Sequence, residues 1–397
     1  MQDWFKFVFG NKRLLNFGFL FNFFSSFGQT FFVSLFVPCW VQSLEISNTA
    51  FGSMYATVTI ISAFLLSYAG RFIDNMSLRK YGLLVFGGLV IAMIVLSQAY
   101  HFWVLLLGLL LVRWFGQGMM THTSSTGIAK LFDLNRGKAL GFTALGHPAG
   151  QFFLPLLVAP LILNFGWRVS LLILIALAAI VMLPTIHAIG NVAKIHISEK
   201  EENKPVVQEE NYLLTWKFWL IASNVFIVPF LCTAVFLYQF TLAESKGWDP
   251  GWVTFSFAFF AIFNAVSLLL SGSLVDKYSG IKLFPLYLIP TIIGLILMAV
   301  SRSQWVFPVF YGLLGMSVGL GSTIKTAMQV EVYGKGKLGK IRSYFSTIIV
   351  FSTALGPPAF GFFIDRNYSF NAVMAISAVV VFLIFMLSFR VWKISRI

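Results

Sequence analysis

The sequence predicts an all-α membrane protein of twelve transmembrane helices in two pseudo-symmetric six-helix bundles. Three observations predict it. Of 397 residues, 58% are hydrophobic and only 11% charged, at a mean hydropathy of +0.85; soluble domains carry about 25% charged residues. The apolar residues gather into runs of roughly 18–28, enough to cross ~30 Å of hydrocarbon. Two short motifs then recur in the same order in each half. This balance excludes an ordinary soluble enzyme and a disordered chain. Two cysteines, Cys39 and Cys232, exclude a disulfide scaffold and any multi-cysteine metal site.

Twelve spans follow in order, at 14–38, 49–70, 82–99, 102–127, 139–163, 169–189, 215–243, 252–274, 283–300, 305–330, 343–363 and 369–389. The first is longer than a signal-peptide core and reads as a spanning helix. Residues 1–189 form the N-terminal bundle and 215–397 the C-terminal one. Between them, 190–214 mixes Glu199, Lys200, Glu201, Glu202 and Lys204 and reads as a solvated cytoplasmic linker. Net charge is +14, and its distribution matters more than its size. With the N-terminus inside, 22 of the 28 Lys and Arg lie on inner segments. Only Arg168, Lys246, Arg302 and Arg366 lie outside, while Arg113 and Lys325 fall within spans. The positive-inside rule therefore predicts both termini cytoplasmic; the expected location is the plasma (inner) membrane, and nucleic acid is not expected as a partner.

The halves repeat. GRFIDNMSLRK at 70–80 and GSLVDKYSGIK at 272–282 align at an offset of 202, each between the second and third span of its half. ALGHPAG at 144–150 and ALGPPAF at 354–360 align at 210, each in the fifth span. Polar residues also follow a period of three spans. The first, fourth, seventh and tenth carry Asn22, Gln29, Arg113, Gln117, Asn224, Gln239, Lys325 and Gln329, whereas the third, sixth, ninth and twelfth are nearly apolar. Polar side chains in a bilayer face protein or water, so this period predicts a central polar cavity with every third helix towards lipid.

These features resemble the major facilitator superfamily over essentially the whole chain. Its loop motif, approximately G-x-L-a-D-r-x-G-r-k, matches Gly70, Asp74 and Arg79, and again Gly272, Asp276 and Lys277. Asn75 stands where a basic residue is usual and Ser77 where a glycine is. The resemblance implies the major facilitator fold, with these six residues bracing the cytoplasmic helix ends and controlling a conformational switch. A narrower resemblance, to the monocarboxylate and oxalate/formate branch, rests on Arg136, Gly137, Ala139, Gly141, Gly146 and Gly150. The eighth span, 252–274, lacks the basic residue that such transporters often carry there.

None of the 14 acidic residues lies deep in a span; Glu244 and Glu331 are at span ends. Arg113 lies ~16 Å below the outer end of the fourth span, near mid-bilayer. At 100° per residue its face includes Gln117, Met120 and Ser124. It reads either as a substrate anchor or as a donor to neighbouring helix carbonyls. Lys325 either faces the same cavity or snorkels to the cytoplasmic interface. Gln29, Asn22, Gln329 and Asn264 complete the expected substrate-binding set, and His147 is the candidate proton-coupling group, with helix packing as its other reading.

The reading is a secondary active transporter, working by alternating access on a small organic anion, as a symporter or antiporter driven by protons or by exchange. The alternative is a broad-specificity exporter of amphipathic or drug-like compounds, which suits the Phe- and Met-rich interior. There is no GxxxxGK[ST] loop for ATP, and no nucleophile or metal cluster, so no enzyme activity, cofactor or metal is expected. The expected partners are a small-molecule substrate, protons and the lipid bilayer, and the chain is expected to be monomeric.

Overall fold

A computed structural model describes residues 2–74, 76–132, 135–190, 213, 215–334 and 338–394. Every regular element among the described residues is helical. The chain divides into two compact units, Met1–Ile197 and Ser198–Ile397. Apart from Gly190 and Leu213, the charged linker expected at 190–214 lies outside the described residues.

The N-terminal unit opens with α1 (Gln2–Gly10) and α2 (Lys12–Phe24), followed by a 3-10 turn at Ser25–Gly28, α3 (Thr30–Val33) and α4 (Val37–Leu44). The first span is thus broken near its middle, where Gln29 is extended at φ −82°, ψ 152°. Ser25, Ser26 and Gly28 favour turns over helix interiors, which accounts for the break. Next come α5 (Asn48–Ala69), a 3-10 turn at Gly70–Asp74, and α6 (Leu78–Ser97). The fourth span is composite: α7 (Phe102–Leu111), a π-helical stretch at Val112–Met120, and α8 (Thr121–Leu131). The unit closes with α9 (Arg136–Ala144) and α10 (Gly146–Ala188).

Within α10, Gly166 adopts φ +71°, ψ 162°, which only glycine reaches without strain. The fifth and sixth spans are therefore joined by a one-residue kink and not by a loop. Ten helices among the described residues are long and apolar enough to cross a bilayer. The broken first span and this fused pair account for the difference from twelve.

The C-terminal unit contains α11 (Trp216–Leu237), α12 (Gln239–Ser245), α13 (Pro250–Tyr278), α14 (Gly280–Leu283), α15 (Ile289–Val300), α16 (Val306–Tyr333), α17 (Leu338–Asp365), α18 (Phe370–Ser388) and α19 (Val391–Ile394). Local chemistry sets the starts. Ser47 accepts from the Ala50 N–H to cap α5, and Asp249, followed by Pro250, accepts from the Gly251 N–H to cap α13. Gly334, at φ +77°, ends α16.

Glycines determine which helices touch. A Cβ on Gly146 would strike the Phe19 carbonyl oxygen of α2, and one on Gly356 of α17 would strike the Phe230 carbonyl oxygen of α11. The repeated ALG sequence therefore marks the same crossing, fifth span over first, in both units. Gly315 and Gly319 let α16 lie directly on the backbone of α13 at Phe260 and Asn264. Burial follows the three-span period in part. The apolar windows of α11 and α16 are 67% and 61% buried against 33% for α18, but α6 reaches 56% against 39% for α5. The reason lies in α6 itself: Gly82 admits the rings of Phe17 and Phe21, and Gly88 that of Phe115.

Candidate functional site

Arg113 is the second residue of the π-helical stretch and is only 2% exposed. Its Nη1 donates to the Tyr55 hydroxyl at 2.5 Å and to the Gly28 carbonyl at 3.3 Å. The guanidinium carbon stands 4.7 Å from the Tyr55 ring centre. Tyr55 is fixed in turn by a 2.8 Å hydrogen bond with Thr30. The Gly28 carbonyl is available because the first span unwinds there, so a break on one helix satisfies a cation on another. Both partners are neutral, and Arg113 Nε, although buried, has no hydrogen-bond partner among the described residues.

The crossing that brings these groups together is unusually close. A Cβ on Gly116 would lie 2.8 Å from the Gly28 nitrogen, and one on Gly28 would overlap the Gln117 nitrogen. Only glycine on both sides allows it. Irregular turns thus meet at mid-span on both helices, with the cation at the junction. π-Helical stretches within α-helices are frequent at functional sites.

Ser124 and Arg113 both face the first span, donating to the Gly18 and Gly28 carbonyls respectively. Gln117 remains one turn from Arg113 and half-buried. Ser124 belongs to a separate network: Asn22 Nδ2 donates to Ser124 Oγ at 2.8 Å and to the Thr143 carbonyl at 2.9 Å, and Ser124 donates to the Gly18 carbonyl at 2.7 Å. Asn22 thereby ties α2, α8 and α9 together. Gln29 sits half-buried at the helix break itself.

His147 is half-buried near the start of α10, its ring edge-on to Phe31 at 6.1 Å. Gln151, one turn on, is buried with its Oε1 unpartnered, as is Ser26 Oγ, against which Gly150 packs. The break in the first span therefore has unpaired polar atoms on this side as well as at Arg113.

In the C-terminal unit, Lys325 is half-buried with Nζ 5.7 Å from the Tyr287 ring centre. Tyr287 donates to Asn224 Oδ1 at 2.6 Å, and Asn224 Nδ2 donates to Ser388 at 2.8 Å. Gln329, one turn beyond Lys325, is buried; Asn264 is half-buried where α13 meets α16. Each unit therefore places a cation against a tyrosine ring.

The two loop motifs are built differently. In the first, Gly70 opens a 3-10 turn and His122 Nε2 lies 3.3 Å from where its Cβ would stand. Arg79 is half-buried in the first turn of α6, and the Asp74 side chain lies outside the described residues. In the second, Gly272, Asp276 and Lys277 continue α13, with Asp276 and Lys277 exposed. A short aspartate side chain in such a motif can cap the next helix, but Asp276 does not occupy that position. Instead, Ser279 accepts from the Lys282 N–H, and the two Glu331 oxygens accept from the Gly280 and Ile281 N–H groups at 2.7 and 3.0 Å. Ser77 caps α6 in the same way. The serine pair shares the motif's 202-residue offset, a signal present in the sequence that the motif comparison passed over.

A helical membrane bundle that interrupts its spans at mid-depth and holds a cation there among neutral groups has the build of a solute carrier. The chain belongs to the Major Facilitator Superfamily, which it matches over residues 18–288 and 220–395. It is a multi-pass secondary transporter and not an enzyme. Its structure is similar to a bacterial homologue of the human lysosomal transporter Spinster. In the inward-facing, unoccupied form of that protein the TM-score is 0.72 at 14% identity, over 97% of this chain and 98% of that one. In the inward-facing, occupied form it is 0.68 at 14% identity, over 97% of each chain. The nucleoside transporter NupG, in a mutant form, gives 0.72 at 14% identity, over 95% of this chain and 99% of that one. At this identity the likeness is one of fold. No curated protein sequence matches the chain.

Proposed function

We propose that this transporter carries a small organic anion by alternating access, driven by protons or by exchange. The observation that carries the reading is Arg113: buried, charged, bonded only to a phenol and a carbonyl, and with Nε unsatisfied. An uncompensated arginine at mid-bilayer costs roughly 2.5–3.5 kcal/mol on insertion scales. Neutral acceptors offset part of that, and an arriving carboxylate or phosphate offsets more through a bidentate pair. Gln117 and Gln29, both half-buried beside the same crossing, would orient such a ligand. In the other unit, Lys325, Gln329 and Asn264 would supply the second set of contacts.

The narrower kinship with monocarboxylate and oxalate/formate carriers rests on the segment from Arg136 to Gly150. Gly146 and Gly150 pack on the first span, whereas Gly137 and Gly141 have no neighbour within 4 Å of an added Cβ. Two of its four glycines are thus explained by helix packing alone. Orientation follows from charge, with both termini cytoplasmic in the plasma membrane, and His147 is the proposed proton carrier. The test is a thermal-shift screen of purified protein against anionic, neutral and cationic metabolites. Stabilisation confined to anions supports the proposal; stabilisation confined to neutral or cationic amphipathic compounds overturns it in favour of an exporter.

A further inference from the structure

The C-terminal unit holds a cationic cavity separate from the proposed transport site. It lies where three connections meet: α12 to α13, α15 to α16, and α17 to α18. Its volume is about 520 Å³, within the range of small-ligand sites, and no acidic side chain among the described residues lines it. Lys246 and Arg302 supply two positive charges; Ser245, Asn367, Ser369 and Asn371 supply hydroxyl and amide groups.

Lys246 is fixed in place. Its Nζ donates to the Met298 carbonyl at 2.5 Å and to the Ser301 carbonyl at 3.2 Å, and stands 4.9 Å from the Trp248 ring centre. An ammonium has three donors, so one is left for a ligand. Partial burial lowers its pKa from the usual lysine value, the cost of holding a charge there without a counter-ion. Arg302 is exposed, but its backbone is pinned by the Trp248 indole, which donates to the Arg302 carbonyl at 3.1 Å. Ser369 makes no side-chain capping bond to α18, so its hydroxyl is uncommitted. Surface lysines and arginines ordinarily spread apart. Here two line one cavity, with the amides of Asn367 and Asn371 and the Ser369 hydroxyl beside them as further donors.

We propose that this cavity binds a small phosphate- or carboxylate-bearing anion, on a site independent of Arg113. The charge distribution puts these three connections on the outer side, where a free anion and the headgroup of an anionic lipid present the same chemistry.

The test uses the full-length protein in nanodiscs. In phosphatidylcholine discs, inorganic phosphate is titrated calorimetrically into wild type, Arg302→Gln and Arg113→Gln. In a second arm, melting of the same three proteins is compared between phosphatidylcholine and phosphatidylglycerol discs. Arg302→Gln is the primary variant because its side chain is exposed; Lys246→Gln also severs two backbone contacts and serves as confirmation. A free-anion site gives phosphate binding that Arg302→Gln weakens about three- to tenfold while Arg113→Gln leaves it unchanged. A headgroup site gives phosphatidylglycerol stabilisation that Arg302→Gln alone removes. If Arg302→Gln matches wild type in both arms, or if Arg113→Gln abolishes the effect, the proposal is wrong. Because Arg113 is scored separately, failure here leaves the anion-substrate reading to stand or fall by itself.

Discussion

At the scale of single residues, Tyr55 and Gly116 carry as much of the account as Arg113. Tyr55 gives Arg113 both a hydroxyl acceptor and a ring face. Tyr55→Phe keeps the ring and deletes the acceptor, leaving another buried N–H unsatisfied. It should cost about 1–3 kcal/mol of stability, read as a lower melting temperature in detergent. Affinity for an anionic ligand should hold or rise, because the phenol competes with that ligand for Nη1. Unchanged melting would mean that the hydroxyl contributes nothing to holding the cation. Gly116→Ala places a methyl 2.8 Å from the Gly28 nitrogen, so backbone must move; overpacking of this kind typically costs about 1–3 kcal/mol. The charge of Arg113 and its place within a span were legible in the sequence. Its partners were not, because Tyr55 and Gly28 lie 58 and 85 residues away, and only the folded crossing brings them together.

At the scale of elements, helices of ordinary geometry were legible and the irregular ones were not. Regular spans such as α6 and α18 follow from apolar length alone. The break after α2, the π-helical stretch in the fourth span and the kink at Gly166 depend on single residues whose effect requires tertiary context. Ser124 faces the first span as Arg113 does, but serves the Asn22 network. At the second loop motif, Glu331 holds the start of α14 from two helices away. Glu331→Gln retains one oxygen and loses the charge; Glu331→Ala loses both bonds. Hydrogen exchange at Gly280 and Ile281 should therefore quicken in the order wild type, glutamine, alanine. Equal protection in all three would show that the carboxylate is not the cap. His147 belongs at this scale too, since it sits where α10 passes the broken span. His147→Gln cannot titrate between pH 5 and 8. If it still drives uphill uptake on a proton gradient as wild type does, the coupling lies elsewhere.

For the whole molecule, the repeat is the property most fully written in the sequence. Two motif pairs at offsets of 202 and 210 point to two halves; the chain divides into two compact units, and each contains a first-to-fifth helix crossing. Family membership follows. Substrate class does not, because fold is shared across many cargoes and the deciding contacts are few. Replacing Asp74 or Asp276 should bias the inward/outward balance, seen as altered distance distributions between spin labels on the two units, with ligand affinity changed only a few-fold. Loss of binding with an unaltered balance would refute the switching role. The anion claim itself is tested most directly by titrating the best anionic ligand into wild type, Arg113→Lys and Arg113→Gln. Arg113→Lys keeps the charge and loses the bidentate fork, so affinity should fall by about tenfold or more, and Arg113→Gln should fall further. Equal affinity in all three proteins would contradict the account.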